Sequence, residues 1–140
     1  MRKKIGLALG SGGARGYAHV GVIKVLQKNK IPIDYVAGTS IGSIVGGYFA
    51  LNLNTKKLET VGLDFTAKDI WKKLIDLNNP KQSLIKGNKI RDFLKQFLGE
   101  KRFKDTKIPL AIGATDIETG KTIVFKKGKI IDFEKIKYNI

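Results

Sequence analysis

Cysteine is absent from the 140-residue sequence, and histidine occurs once, as His19. The first absence excludes a disulfide framework, a thiolate zinc site and a thiol nucleophile together, and leaves the redox compartment open. The second leaves one imidazole, upstream of every serine from Ser40 on. Acidic residues are scarce: 12 Asp and Glu stand against 27 Lys and Arg, a formal charge of +15. The excess is spread along the whole chain and reads as a solvated basic surface; peripheral contact with an anionic membrane is the sharper alternative. Nucleic acid is not the partner implied, since the chain has no paired Cys/His finger, no recognition-helix pattern and no strand interleaving Lys/Arg with exposed aromatics. No apolar run approaches the roughly 18 residues of a membrane-spanning helix. The start "MRKKIGLALGSGG" has a basic head and a short apolar run, but glycines interrupt it at once and no cleavage site follows. It reads as a first β-strand, and the protein as cytoplasmic, with the inner membrane face as its peripheral site if the basic surface docks there.

What is present has the composition of one soluble globular domain over residues 1–140, with 42% hydrophobic and 28% charged residues. That length allows a real core but is short for a complete α/β enzyme. The segment Lys3 to Gly10 is short, apolar and closed by glycine, as a buried parallel strand is. Tyr17, Val20, Val22, Ile23, Val25 and Leu26 give a helical apolar face that ends before Pro32. Ile33 to Ser40 reads as a second strand, and Ile41 to Asn52 as a charge-free helix suited to burial on a sheet. Strand, helix, strand, helix implies a parallel sheet with right-handed crossovers. The middle predicts helices at "TKKLETVGLDF", "TAKDIWKKLIDL" and "GNKIRDFLKQFLG", with "NNPKQSLIKGN" as a loop. "KIPLAIGATDIETGKTIVFKKGK" then returns to two β-rich runs around a hairpin-like turn.

Chemistry concentrates in two glycine-rich places. "GTSIG", Gly38 to Gly42, sets Ser40 after a strand and before a helix, the arrangement of a nucleophile elbow, where small neighbours are needed on both sides. A strand-to-helix turn with Ser40 as N-cap explains the pentapeptide equally well. "GSGGARG", Gly10 to Gly16, breaks the tie, because it offers backbone N–H groups without side chains at the end of the neighbouring strand, which an acyl-transferring serine needs for its oxyanion. Phosphate readings fit less well. A dinucleotide fingerprint wants glycine where Arg15 stands and an acidic residue ending the second strand, and a P-loop wants Gly-Lys-Ser/Thr where "RGY" stands. His19, in the first turn of the following helix, reads as a structural or capping residue in preference to a base.

"GLALGSGGARGYAHVGVIKVL" followed by "VAGTSIGSIVGGYFA", with the later "GNKIRDFL" and "IPLAIGATDIETGKTIVF", resembles the N-terminal part of a bacterial patatin-like phospholipase domain over roughly Ile5 to Phe125. The resemblance implies a three-layer α/β/α fold with a mainly parallel central sheet and metal-free, cofactor-free hydrolysis of acyl esters in phospholipids, lysophospholipids or other lipids. It makes Ser40 the nucleophile, Gly38 and Gly42 the elbow glycines, and Gly12, Gly13, Ala14, Arg15 and Gly16 the oxyanion loop. Ser11 stands where many members have another glycine. The family's dyad Asp lies in an Asp-Gly-Gly or Asp-Gly-Ala stretch, and no Asp here is followed by Gly. The expectation is therefore a domain lacking the segment that carries the base, or a relative that has lost activity and keeps a lipid- or partner-binding surface. Asp116, in "ATDIETG", reads as structural, and Asp132 matches no family motif.

Overall fold

The computed structural model describes residues 1–64, 83–116, 118–135 and 138–139. Apolar alternation makes the first strands. β1 (Gly6–Leu9), β2 (Tyr35–Thr39) and β3 (Leu110–Asp116) lie side by side in that order and run parallel, with Leu9 level with Gly38 and Thr39 level with Gly113. β4 (Thr122–Phe125) returns antiparallel along β3, and the two-residue β5 (Tyr138–Asn139) pairs with Thr115 and Asp116. Thr115 faces Thr122 on one edge and Asn139 on the other, so β5 lies past the end of β2, on β2's side of β3. The fold is α/β with a mainly parallel sheet.

Between β1 and β2 runs α1 (Tyr17–Lys28). It closes where Lys30 takes a left-handed conformation (φ 57°), Lys30 N–H donating to Gln27 O and Ile31 N–H to Leu26 O just before Pro32. Val20 and Ile23 face the core, while Val22 and Val25 are exposed, narrower than the expected apolar face; at 100° per residue they lie on the far side. α2 (Ile41–Asn52) follows β2 and is buried along most of its length. Its glycines explain how it sits so close: a Cβ on Gly46 would stand 2.7 Å from Val36 Cγ1, and one on Gly47 2.9 Å from Leu98 Cδ2. α3 (Lys56–Asp64) is tied to α1 by the Lys24–Glu59 ion pair at 2.8 Å.

α4 (Ser83–Leu98) starts within the segment expected to be a loop; helix covers Ser83 to Asn88, and Gly87 lies inside it. Once Leu94, Phe97 and Leu98 are buried, extending the helix back satisfies backbone groups that a loop would leave to solvent. The expected helix "TAKDIWKKLIDL" lies outside the described residues. The second strand is shorter than Ile33–Ser40, because Asp34 and Ser40 serve its two ends instead of its ladder. After β4, a 3-10 turn over Ile130–Lys135 packs on α4 and buries Ile130 and Ile131 completely.

Burial alternates along β2 and β3: Val36, Leu110, Ile112 and Ala114 face the helices, while Tyr35, Ala37 and Thr39 are exposed. The first strand, expected to be buried throughout, shows Gly6 and Ala8 exposed and Leu9 buried. Right-handed crossovers between strands in the order β1, β2, β3 put α1 and α2 on the same face. Among the described residues the other face is open, with Tyr35 and Val124 exposed beside the smaller Ala37 and Thr39.

Candidate active site

Ser40 sits between the last residue of β2 and the first of α2 with φ 51° and ψ −126°, a conformation that costs a non-glycine residue on the order of 1–3 kcal/mol. The surroundings impose it. A Cβ on Gly38 would lie 2.4 Å from the Gly42 carbonyl oxygen and 2.7 Å from Ser43 N, so the chain doubles back with no room for a side chain. A Cβ on Gly42 would lie 2.1 Å from Leu9 O and 2.8 Å from Gly10 O, so the elbow is pressed onto the end of β1. Ser43 N–H donates to Ser40 O at 2.9 Å, but the Ser40 side chain makes no capping hydrogen bond. Ser40, half-buried, thus stands at the N-cap position with its hydroxyl not consumed by the helix end.

Gly10 to Gly16 packs against this elbow. Gly13 adopts φ 53°, Arg15 N–H donates to Gly12 O at 3.0 Å, and a 3-10 turn over Gly13–Gly16 runs straight into α1. Gly16 is buried on the first residue of α2: a Cβ there would be 2.3 Å from Ile41 Cγ2. Ser11 Oγ stands 3.4 Å from Thr39 Oγ1, the residue before Ser40. Gly12, Gly13, Ala14, Arg15 and Gly16 thus share one loop beside Gly38, Ser40 and Gly42, and the Arg15 side chain is exposed.

The sequence reading missed one contact. His19 Nε2 lies 2.8 Å from Gly10 O. A carbonyl oxygen can only accept, so Nε2 carries the hydrogen and donates, and that nitrogen cannot take a proton from Ser40. The only signal was a histidine one helical turn after a glycine loop.

The two aspartates that the sequence singled out are engaged elsewhere. Asp116 accepts Thr119 Oγ1–H at 2.7 Å and Glu118 N–H at 2.9 Å within its own hairpin turn, bonds that hold its pKa below the ordinary Asp value, Thr119 foremost. Asp132 Oδ1 stands 3.4 Å from Arg91 Nη1. Asp34 is at the opposite end of β2 from Ser40. Among the described residues no three His, Asp or Glu side chains gather as a metal ion would require.

The sequence model of the patatin-like phospholipase family matches residues 7–136. This chain belongs to the patatin-like phospholipase family. A patatin-like phospholipase domain-containing protein of Caenorhabditis elegans is 37% identical over 128 residues, 90% of this chain and 10% of that protein. A lysophospholipase NTE1 of Yarrowia lipolytica is 33% identical over 126 residues, 89% of this chain and 9% of that protein, and that of Candida albicans matches to the same extent. The patatin-like chain thus spans about a tenth of the length of these curated relatives. They are animal and fungal proteins, and give no support to placing the chain among bacterial members of the family.

Proposed function

We propose that the chain supplies the nucleophile and the oxyanion loop of a serine acyl hydrolase acting on lipid esters. The observation that carries this is the Ser40 backbone, strained between two glycines that admit no side chain, with its hydroxyl free of the helix end. In this reading Ser40 Oγ adds to the acyl carbonyl carbon and its proton passes to a general base, a role given to no described residue. The charge on the carbonyl oxygen is met by N–H groups of Gly12, Gly13 and Ala14, in the turn completed by Arg15 and Gly16, and by the positive end of α2. Collapse of that adduct breaks the ester bond, returns the proton to the leaving alcohol and leaves the acyl group on Ser40, from which water releases it by the same two steps. No cofactor enters these steps. Because two of the relatives are named lysophospholipases, a lysophospholipid is the first substrate to test.

Neither Asp116 nor Asp132 is assigned as the base, since each already has other partners. An oxyanion loop without a positioned base still gives about 10³-fold acceleration over water, so slow turnover is expected of residues 1–140 alone. Hydrolysis of lysophosphatidylcholine and a short-chain p-nitrophenyl ester is measured with the chain, with any longer polypeptide encoded with it, and with Ser40→Ala forms. In an active parent, Ser40→Ala lowers kcat by about 10³-fold or more. Activity within a few-fold of the parent sinks Ser40 as nucleophile, and fast, Ser40-dependent turnover by residues 1–140 makes Asp116 the first suspect as base.

The engagement of both aspartates favours a second reading, a noncatalytic relative that keeps a binding surface. Arg102, Lys104, Lys107, Lys126 and Lys127 ring a cleft of about 560 Å³ floored by Phe103, Ile108 and Leu110. The cleft lies at the end of the sheet opposite Ser40, where peripheral contact with an anionic membrane is proposed. Vesicle binding with no Ser40-dependent hydrolysis from any form of the protein selects this reading.

A further inference from the structure

We infer that His19 is a positioning residue that locks the glycine loop onto the serine elbow through the Gly10 carbonyl, an inference that rests on reading the loop as the oxyanion hole. Three elements meet at that carbonyl. β1 ends there, Gly42 of the elbow approaches so closely that a Cβ would stand 2.8 Å from the oxygen, and the first turn of α1 delivers His19 Nε2 to it at 2.8 Å. Gly10 itself is not forced by crowding, since a Cβ there would meet no atom within 4 Å. Nor does a side chain fix its peptide plane: with glycine at positions 10, 12 and 13, the backbone between β1 and the 3-10 turn has more freedom than at any other place in the site.

The amides proposed to meet the oxyanion are two to four residues beyond Gly10. A rotation of the Gly10–Ser11 peptide re-aims them, and oxyanion donors act only if they are held in place before charge develops. His19 supplies the missing constraint from outside the loop. It is anchored by a rigid helix, whose next turns bury Val20 and Ile23 in the core. The hydrogen bond also holds Gly10 O where it meets Gly42, so one side chain fixes the loop and the spacing between loop and elbow together. His19 touches neither substrate nor the reacting atoms in this scheme.

The test compares His19→Gln, His19→Asn and His19→Leu. A glutamine amide reaches to where Nε2 stands; the asparagine amide is too short, and leucine has no donor. Amide hydrogen exchange of Arg15, whose N–H donates to Gly12 O across the loop, is followed by NMR, with Ile112 in the sheet as internal reference. Exchange of the Arg15 amide is expected to quicken about tenfold or more in the Asn and Leu variants and to stay within about threefold of the parent in Gln, with Ile112 unchanged. In an active form, the same two variants lower kcat at nearly constant KM, and Gln restores it. If the Leu variant does not fold, the Gln and Asn pair decides alone. Loop exchange and kcat that are equal in all forms overturn the inference, as does a Gln variant that behaves like Asn. The exchange measurement does not need turnover, so failure of the hydrolase reading, seen as Ser40→Ala without effect, is told apart from failure of the His19 tether.

Discussion

At the scale of single residues, the site is defined by what cannot be added to it. Gly42→Ala places a methyl group 2.1 Å from Leu9 O, and backbone cannot yield as a flexible side chain would. A loss of about 3 kcal/mol or more is expected in urea unfolding, and a stability equal to the parent would show that the elbow does not press on β1. Gly13→Val is expected to leave the fold in place and abolish turnover of an active form, because φ 53° is hostile to a β-branched residue; one lost oxyanion donor is worth about 3 kcal/mol. Normal kinetics in a folded Gly13→Val protein would count against an oxyanion loop. Ser43, three residues after Ser40, is fully buried and its Oγ has no hydrogen-bond partner among the described residues. Ser43→Ala removes a desolvated hydroxyl, so stability should rise by about 1 kcal/mol, a shift of roughly 3–5 °C in Tm. A lower Tm would mean that the hydroxyl has a role the packing does not reveal.

Among elements, β1 is held at its start by a side chain of the segment leading into β2. Its start is clamped by Asp34, whose two oxygens accept Arg2 Nη1–H and Nη2–H at 2.6 Å and whose Oδ2 also accepts Ile5 N–H at 2.8 Å. Arg2 first and Ile5 N–H second hold the Asp34 carboxyl well below the usual carboxylate range. Lys129 and Lys95 likewise lower Glu100, to about 2, at the junction of α4 with the turn before β3. Because both folded-state values are depressed, their contribution is fully present above the ordinary carboxylate value and is lost as pH falls below about 4 toward the folded value. Thermal midpoints measured between about pH 6 and 2 should fall less steeply for Asp34→Asn than for the parent. Parallel curves would show that the clamp contributes nothing to stability.

For the whole molecule, the excess of 27 basic over 12 acidic residues sets long-range behaviour. Around the cleft below β3, Lys104, Lys107, Lys126 and Lys127 have no ion pair among the described residues, whereas Arg2, Lys24, Lys95 and Lys129 do. Binding to vesicles containing anionic lipid should therefore be strong at low salt and fall as the screening length shrinks toward roughly 3 Å near 1 M. Lys126→Glu with Lys127→Glu should weaken it further. Equal binding to neutral and anionic vesicles would leave the charge as a solvated surface with no partner. No described helix is long and apolar enough to cross a membrane, so such contact is peripheral if these residues make it.

By itself the sequence determined the family, the alternation of strands and helices, and the two glycine clusters, because each is written in local spacing: apolar period, turn residues, a serine with glycine two positions away on either side. It also marked His19 as structural. Only the tertiary structure decided what the clusters do to one another. Ser11 meets Thr39 across 28 residues and Gly42 meets Leu9 across 33, and no local pattern encodes such a pairing. The positive φ of Ser40 and the early start of α4 follow from packing between segments far apart in the chain, whereas the tether from His19 to Gly10 spans nine residues and Asp116 is captured by its own turn. Local spacing fixes which residues can serve; the close approach of β1, the glycine loop and the elbow fixes where their hydroxyl and amide groups point.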